Sequence, residues 1–196
     1  MKILEIIKKR RSVTRFALRG IEKEKIDRVV KAASYDPPDG QKAPIKIVVV
    51  SKTEMKQKIR QTAEQIEKAY TQGAGNGNHG PTHQFGETGW RKPFLEEAPY
   101  LIVACGLVGQ PYQAASTWLA LGRILLAASD EGLGSLCYTP PMPAFLRKVI
   151  SIPPRYMPVA IIPVGYSAEE LFPMIDDEDE RKFRNLFSGR FNWQKP

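Results

Sequence analysis

A single mixed helix-and-strand domain is what this sequence predicts, on three observations. Residues 114–128 (AASTWLALGRILLAA) place apolar groups almost all the way round a helix, and such a helix belongs inside a fold or inside an interface. The runs 45–50, 98–105 and 157–166 are dense in apolar and β-branched residues and read as core strands. A chain of 196 residues is long enough for one domain with a substantial core, or one domain plus arms.

Taken in order, Ile3, Leu4, Ile6 and Ile7 mark a short amphipathic helix. Five cations and two hydroxyls follow within positions 8 to 15 (KKRRSVTR), either an anion site or a solvated basic turn. Ile26, Val29, Val30 and Ala33 line one face of a helix over about 22–34. The loop DPPDGQKAP at 36–44 breaks it, and strand 45–50 comes next. Ser51-Lys52-Thr53-Glu54 matches a capping box, continued by Met55, Ile59, Ala63, Ile66 and Tyr70 as an amphipathic helix.

From 71 to 89 the composition shifts to a glycine-rich stretch, TQGAGNGNHGPTHQFGETG, expected to be a lid loop. Gly75, Gly77 and Gly80 match the dinucleotide fingerprint by letter, but a charged helix precedes them and Pro81 follows, the wrong context. His79 and His83 have a metal-ligand spacing only if helical, which three glycines and a proline oppose; no metal is expected. After the helix at 114–128, Gly132 and Gly134 end it, and Ser135 to Tyr138 reads as a short buried strand stopped by Thr139-Pro140-Pro141. The Thr139 hydroxyl there either touches a ligand or belongs to a plain turn. Ala144, Phe145, Val149 and Ile150 mark a small helix, and Pro158 and Pro163 give the last strand an edge position or a bulge. The tail from 167 to 196, acidic and then basic with Phe187, Phe191 and Trp193, either clamps onto a partner subunit or folds back.

Composition narrows the function classes. Hydrophobic residues at 42% and charged at 26% are ordinary for a globular protein, and no apolar run is long enough to cross a bilayer. The first residues read as an amphipathic segment rather than a signal peptide, and Cys105 and Cys137 as reduced thiols, so a cytoplasmic protein is expected. A net charge of +8 favours anionic partners, but it is spread along the chain, with no aromatic–basic platform for nucleic acid.

Four separated pieces together resemble the nitroreductase family of flavin enzymes, in its iodotyrosine-deiodinase-like branch. They are Arg10-Arg11-Ser12-Val13-Thr14-Arg15-Phe16, Pro37-Pro38-Asp39-Gly40-Gln41-Lys42-Ala43-Pro44, the alanine-rich helix ending in Glu131-Gly132-Leu133-Gly134, and Pro163-Val164-Gly165-Tyr166 with the later Arg181-Lys182. The stretch Gly86 to Tyr100 and the Thr139-Pro140 pair are similar to the deiodinase-like branch. The resemblance implies an α+β sandwich with a mainly antiparallel central sheet flanked by helices, working as an intertwined homodimer with FMN at the interface. By position, Arg10, Arg11, Ser12, Arg181 and Lys182 would serve the FMN phosphate, and Pro38, Gly40 and Gln41 the ribityl chain and ring. Thr139 would offer its hydroxyl to flavin N5, where Pro140 has no N–H to give, an arrangement associated with one-electron flavin chemistry.

The pattern also departs from the family. Thr14 stands where a basic residue is usual. Glu67 (or Glu64), Tyr70 and Trp90 would form the substrate side of the lid, yet no Lys or Arg occurs between Tyr70 and Trp90, so the cationic member of an amino-acid grip is expected to be missing. The leading expectation is an FMN-dependent oxidoreductase that takes a hydride from NADH or NADPH and passes it to an electron-poor small molecule, a nitroaromatic or quinone, in a ping-pong cycle. Reductive dehalogenation of halogenated phenols is the alternative, with a non-catalytic FMN-binding protein and a nucleic-acid-binding domain behind it.

Overall fold

The computed structural model describes residues 3–35, 44–73 and 89–169. Their elements are α1 (Ile3–Lys9), α2 (Lys23–Ala32), β1 (Ile45–Val50), α3 (Thr53–Gly73), α4 (Phe94–Glu97), β2 (Tyr100–Leu107), α5 (Gln113–Asp130), β3 (Gly134–Ser135), a 3-10 turn (Pro143–Phe145), α6 (Leu146–Val149) and β4 (Tyr156–Gly165). The four strands form one sheet in the order β1-β2-β4-β3, antiparallel at every pairing.

Period-two alternation sorts the strand side chains onto two cores, one on each face. Leu101, Val103, Cys105 and Ile161 join Ile59 and Ala63 of α3, Phe94 and Leu95 of α4, and Leu146 of α6. Ile102, Ala104, Ala160, Ile162 and Val164 join Ile26 and Val29 of α2 and Ala120, Leu121, Ile124 and Ala128 of α5. Both faces are therefore covered by helices, which is the predicted α+β sandwich. The burial of β2 on both sides explains why its sequence is a continuous apolar run rather than an alternating one.

Several elements differ in detail from their sequence reading. Pro158 of β4 marks a bulge, since Ala104 pairs with Ala160 and Cys105 with Pro158, whereas Pro163 pairs in regular register with Leu101, and β4 lies inside the sheet, between β2 and β3. The α5 helix is apolar all round yet only half-covered. Thr117, Ala120, Leu121, Ile124 and Ala128 are buried, whereas Trp118 and Leu119 face outward with Ile3, Leu4 and Ile7 of α1. The α3 helix starts at Thr53, so Lys52 rather than Ser51 caps it, its carbonyl accepting from the Met55 and Lys56 N–H groups at 3.0 Å each. It runs on to Gly73, into the stretch expected as a lid; residues 74–88 lie outside the described residues, as do His79 and His83.

Gly165 shows how tightly the end of β4 is packed. A Cβ there would lie 2.7 Å from both Phe16 Cδ1 and Pro99 Cδ, ring atoms that cannot swing away. Gly165→Ala is expected to cost about 1–3 kcal/mol, read as a lowered urea midpoint. An unchanged midpoint would mean that this contact relaxes freely.

Candidate functional site

The basic run after α1 is brought against the strand that carries Thr139. Ser12 bridges Ser135 of β3, the Val13 N–H donates to the Ser135 carbonyl at 3.1 Å, and a Cβ on Gly134 would lie 2.8 Å from Val13 Cγ2. A residue larger than glycine at 134 would push the run away. Beyond Val13, the Ala17 N–H donates to the Tyr166 carbonyl at 2.8 Å and the Ala168 N–H to the Arg15 carbonyl at 3.0 Å. The first and third pieces of the sequence pattern and residues 163–166 of the fourth thus lie side by side. From Ser135 to Thr139 the chain reaches at most about 14 Å, which bounds how far Thr139 lies from the strand beside the basic run.

At the cationic end Arg10 and Arg11 are half-buried and Ser12 is exposed. Arg10 lies near enough to Cys137 to favour its thiolate, although burial dominates and pushes the thiol up. The Arg11 guanidinium donates to the carbonyls of Lys8 at 2.7 Å and Arg10 at 3.0 Å, closing the end of α1. Thr14 is held by Glu169, whose Oε1 accepts from the Thr14 hydroxyl at 2.9 Å and its N–H at 3.2 Å. Pro38, Gly40, Gln41, Arg181 and Lys182 lie outside the described residues.

At the other end Thr139 is exposed and Pro140 buried. The residue before them is pinned, because Tyr138 and Ile161 exchange both backbone hydrogen bonds, at 2.9 and 2.8 Å. The Tyr138 side chain turns into the α3/α4 face, edge-on to Phe94 with ring centroids 5.6 Å apart. Its hydroxyl donates to Glu67 Oε1 at 2.9 Å, although Glu67 is itself only 4% exposed. Burial, then the charge of Glu67, holds the phenol well above the usual tyrosine range, so it remains a donor.

Lys92 adds a cation to this cluster. Its Nζ lies 3.9 Å from Glu67 Oε1 and 5.9 Å from the centre of the Tyr138 ring, and it donates to the Gly89 carbonyl. Its backbone N–H donates to Glu64 Oε1 at 2.7 Å. Glu64 in turn receives Arg60 Nε at 2.9 Å, and Arg60 Nη1 reaches Glu96 Oε2 at 3.0 Å. Burial lowers the Lys92 ammonium from its ordinary value, with Glu67 and Glu64 pulling the other way. Lys92 comes just after the glycine-rich stretch rather than inside it, which is why a search of 71–89 misses it.

Tyr70 faces solvent at 50% exposure, and the tyrosine on Glu67 is Tyr138. Trp90 is half-buried, with Lys68 Nζ 5.5 Å and Arg91 Cζ 5.2 Å from the ring centre. Cys105 is sealed in the core, its thiol pushed up to about 11 by burial. Among the described residues no group of three or more His, Cys, Asp or Glu could hold a metal, and no helix is long and apolar enough to cross a membrane.

Known proteins share this sequence and fold. The sequence is 33% identical to an iodotyrosine deiodinase of Thermotoga neapolitana, over 98% of this chain and 99% of that one. It is 39% identical to an iodotyrosine deiodinase of Haliscomenobacter hydrossis, over 82% of this chain and 77% of that one. The fold superposes on a crystal structure of oxidized iodotyrosine deiodinase bound to FMN and 3-iodo-L-tyrosine with a TM-score of 0.75, at 33% identity, covering 88% of this chain and 92% of that one. A model of the nitroreductase family matches residues 7–166, and with the antiparallel sandwich and the deiodinase relatives this establishes that the chain belongs to the nitroreductase family.

Proposed function

We propose that this protein is an FMN-dependent reductive dehalogenase of halogenated phenols, with a site able to receive an amino-acid headgroup. The observation that carries the reading is the pair of buried Glu67 and half-buried Lys92, 3.9 Å apart, joined through Tyr138 to the Thr139-Pro140 turn. A carboxylate beside an ammonium complements a ligand carrying the same two groups, and burial makes each charge count for more than it would at the surface. The deiodinase relatives support the same reading, and so does Pro140, which leaves the threonine hydroxyl as the donor available at this turn.

The residues fit FMN. Arg10, Arg11 and Ser12 are the donors for its phosphate, with Arg181 and Lys182 proposed as further cations. Pro38, Gly40 and Gln41 are proposed along the ribityl chain and ring, and the Thr139 hydroxyl at ring N5. When bound, FMN supplies two electrons that, with one proton, replace a ring carbon–halogen bond by carbon–hydrogen and release halide. The protein's share is to hold the headgroup at Glu67 and Lys92 and the ring beside Thr139. Residues 71–89 are proposed as the lid, and NADH or NADPH as the electron source. A second copy of the chain is proposed to cover Ile3, Leu4 and Ile7 of α1 and Trp118 and Leu119 of α5, exposed large apolar residues on two helices that pack together. The arm at 167–196 is proposed to pack on that partner. A sedimentation mass of one chain would remove the dimer.

The function is tested with purified yellow protein, reduced anaerobically and mixed with 3-iodo-L-tyrosine or 2-iodo-4-methylphenol. One iodide per two electrons is the expected yield by ion chromatography. Reduction of nitroaromatics by NADH or NADPH with no iodide from either compound would instead favour the nitroreductase reading.

A further inference from the structure

Tyr138 is the one residue of the cluster that belongs to both ends of the site. Its phenol reaches across to Glu67 on α3, and its main chain leads directly into Thr139. Neither connection has slack. The backbone is held by two hydrogen bonds to Ile161, in the middle of β4. The ring is only 8% exposed, lies edge-on to Phe94 and is packed in the α3/α4 core.

Glu67, by contrast, has a long side chain with several rotamers, and fixing one costs entropy that a ligand would otherwise supply. A tyrosine already immobilised by its ring is an economical way to fix it. The phenol keeps its proton, so it cannot repel the carboxylate. Leu136 and Tyr138 pack into the α3/α4 face and Cys137 into the α2/α5 face, and Thr139 follows Tyr138 directly and is exposed. The phenol contact and the Thr139 hydroxyl therefore depend on one short segment pinned at Tyr138.

We propose that Tyr138 is the positioning residue of this site: its phenol fixes the Glu67 carboxylate for the substrate headgroup, while its backbone fixes the Thr139 hydroxyl for the ring, setting the distance between the two. The inference rests on the dehalogenase reading above. It makes Tyr138 a determinant of specificity for headgroup-bearing phenols over bare ones, without itself touching the reacting atoms.

The test uses the FMN-loaded Tyr138→Phe protein, which keeps the ring and loses only the hydroxyl. Calorimetric Kd values are measured for 3-iodo-L-tyrosine and for 2-iodo-4-methylphenol, which has no headgroup. Affinity for iodotyrosine should fall about tenfold, the worth of one hydrogen bond to a charged group, with the iodocresol value unchanged within about twofold. Equal losses for both ligands, or no loss for either, would overturn the positioning role. Glu67→Gln provides a second reading should Tyr138→Phe fold poorly. Adding Tyr138→Phe to it should cost no further discrimination, whereas a second tenfold loss would place the action of the phenol elsewhere. Wild-type protein that binds neither ligand and releases no iodide brings down the dehalogenase reading and this inference together. Wild-type protein that discriminates between them, beside a variant that discriminates equally, brings down this inference alone.

Discussion

Lys92→Met should weaken binding of 3-iodo-L-tyrosine about 100-fold while leaving 2-iodo-4-methylphenol nearly unaffected. The substitution keeps the length and apolar stem of the side chain and removes the charge beside Glu67. Truncating one member of a buried charge contact costs on the order of 3 kcal/mol, which is the stated factor. A second readout comes from the titration of the ammonium. Burial lowers Lys92 below the 10.5 of an ordinary lysine. Between that lowered value and 10.5 the unfolded chain holds a proton that the folded chain has lost, so this group makes stability rise with pH across the window. Wild-type protein should therefore gain on Lys92→Met as pH climbs there, measured as the difference in urea midpoints. Equal affinities for iodotyrosine in the two proteins would remove Lys92 from the headgroup site.

Thr139→Ala should change how the bound flavin accepts electrons and little else. With Pro140 unable to donate, removing the hydroxyl takes away the donor proposed for ring N5 at this turn. Stepwise reductive titration of the wild type, followed by visible absorbance, should resolve two one-electron steps. In the variant they should merge into one two-electron step, because losing a hydrogen bond of about 1.4 kcal/mol moves a one-electron potential by roughly 60 mV. The side chain is exposed, so stability should stay within about 0.5 kcal/mol. Two resolved steps in the variant would show that some other group controls the ring.

Much of the fold could be read before any coordinates. The β-branched run at 45–50, the apolar run of β2 and the helical spacing of Ile26 and Val29 each report which side of an element is dry, and that is a local property. Pro158 of β4 likewise announced an irregularity, which is the bulge at Ala104/Cys105, while Pro163 fits the regular ladder. Whether β4 sat at the edge or inside was not written there, because strand order depends on which distant segments pair. The half-covered α5 was equally ambiguous, since an apolar face looks the same in sequence whether a sheet or a second chain covers it.

The candidate site divides along the same line. Basic run, Thr-Pro turn and glycine-rich stretch are contiguous, so residue type and neighbours alone identified them and placed the chain near its family. Lys92, Glu67 and Tyr138 are remote from one another in sequence. Lys92 read as one more charge before a proline, and Tyr138 as a strand residue like its neighbours. Only the packing of α3 and α4 on one face of the sheet brings ammonium, carboxylate and phenol within reach, because a contact across the fold depends on how elements stack and not on the spacing of residues along any one of them.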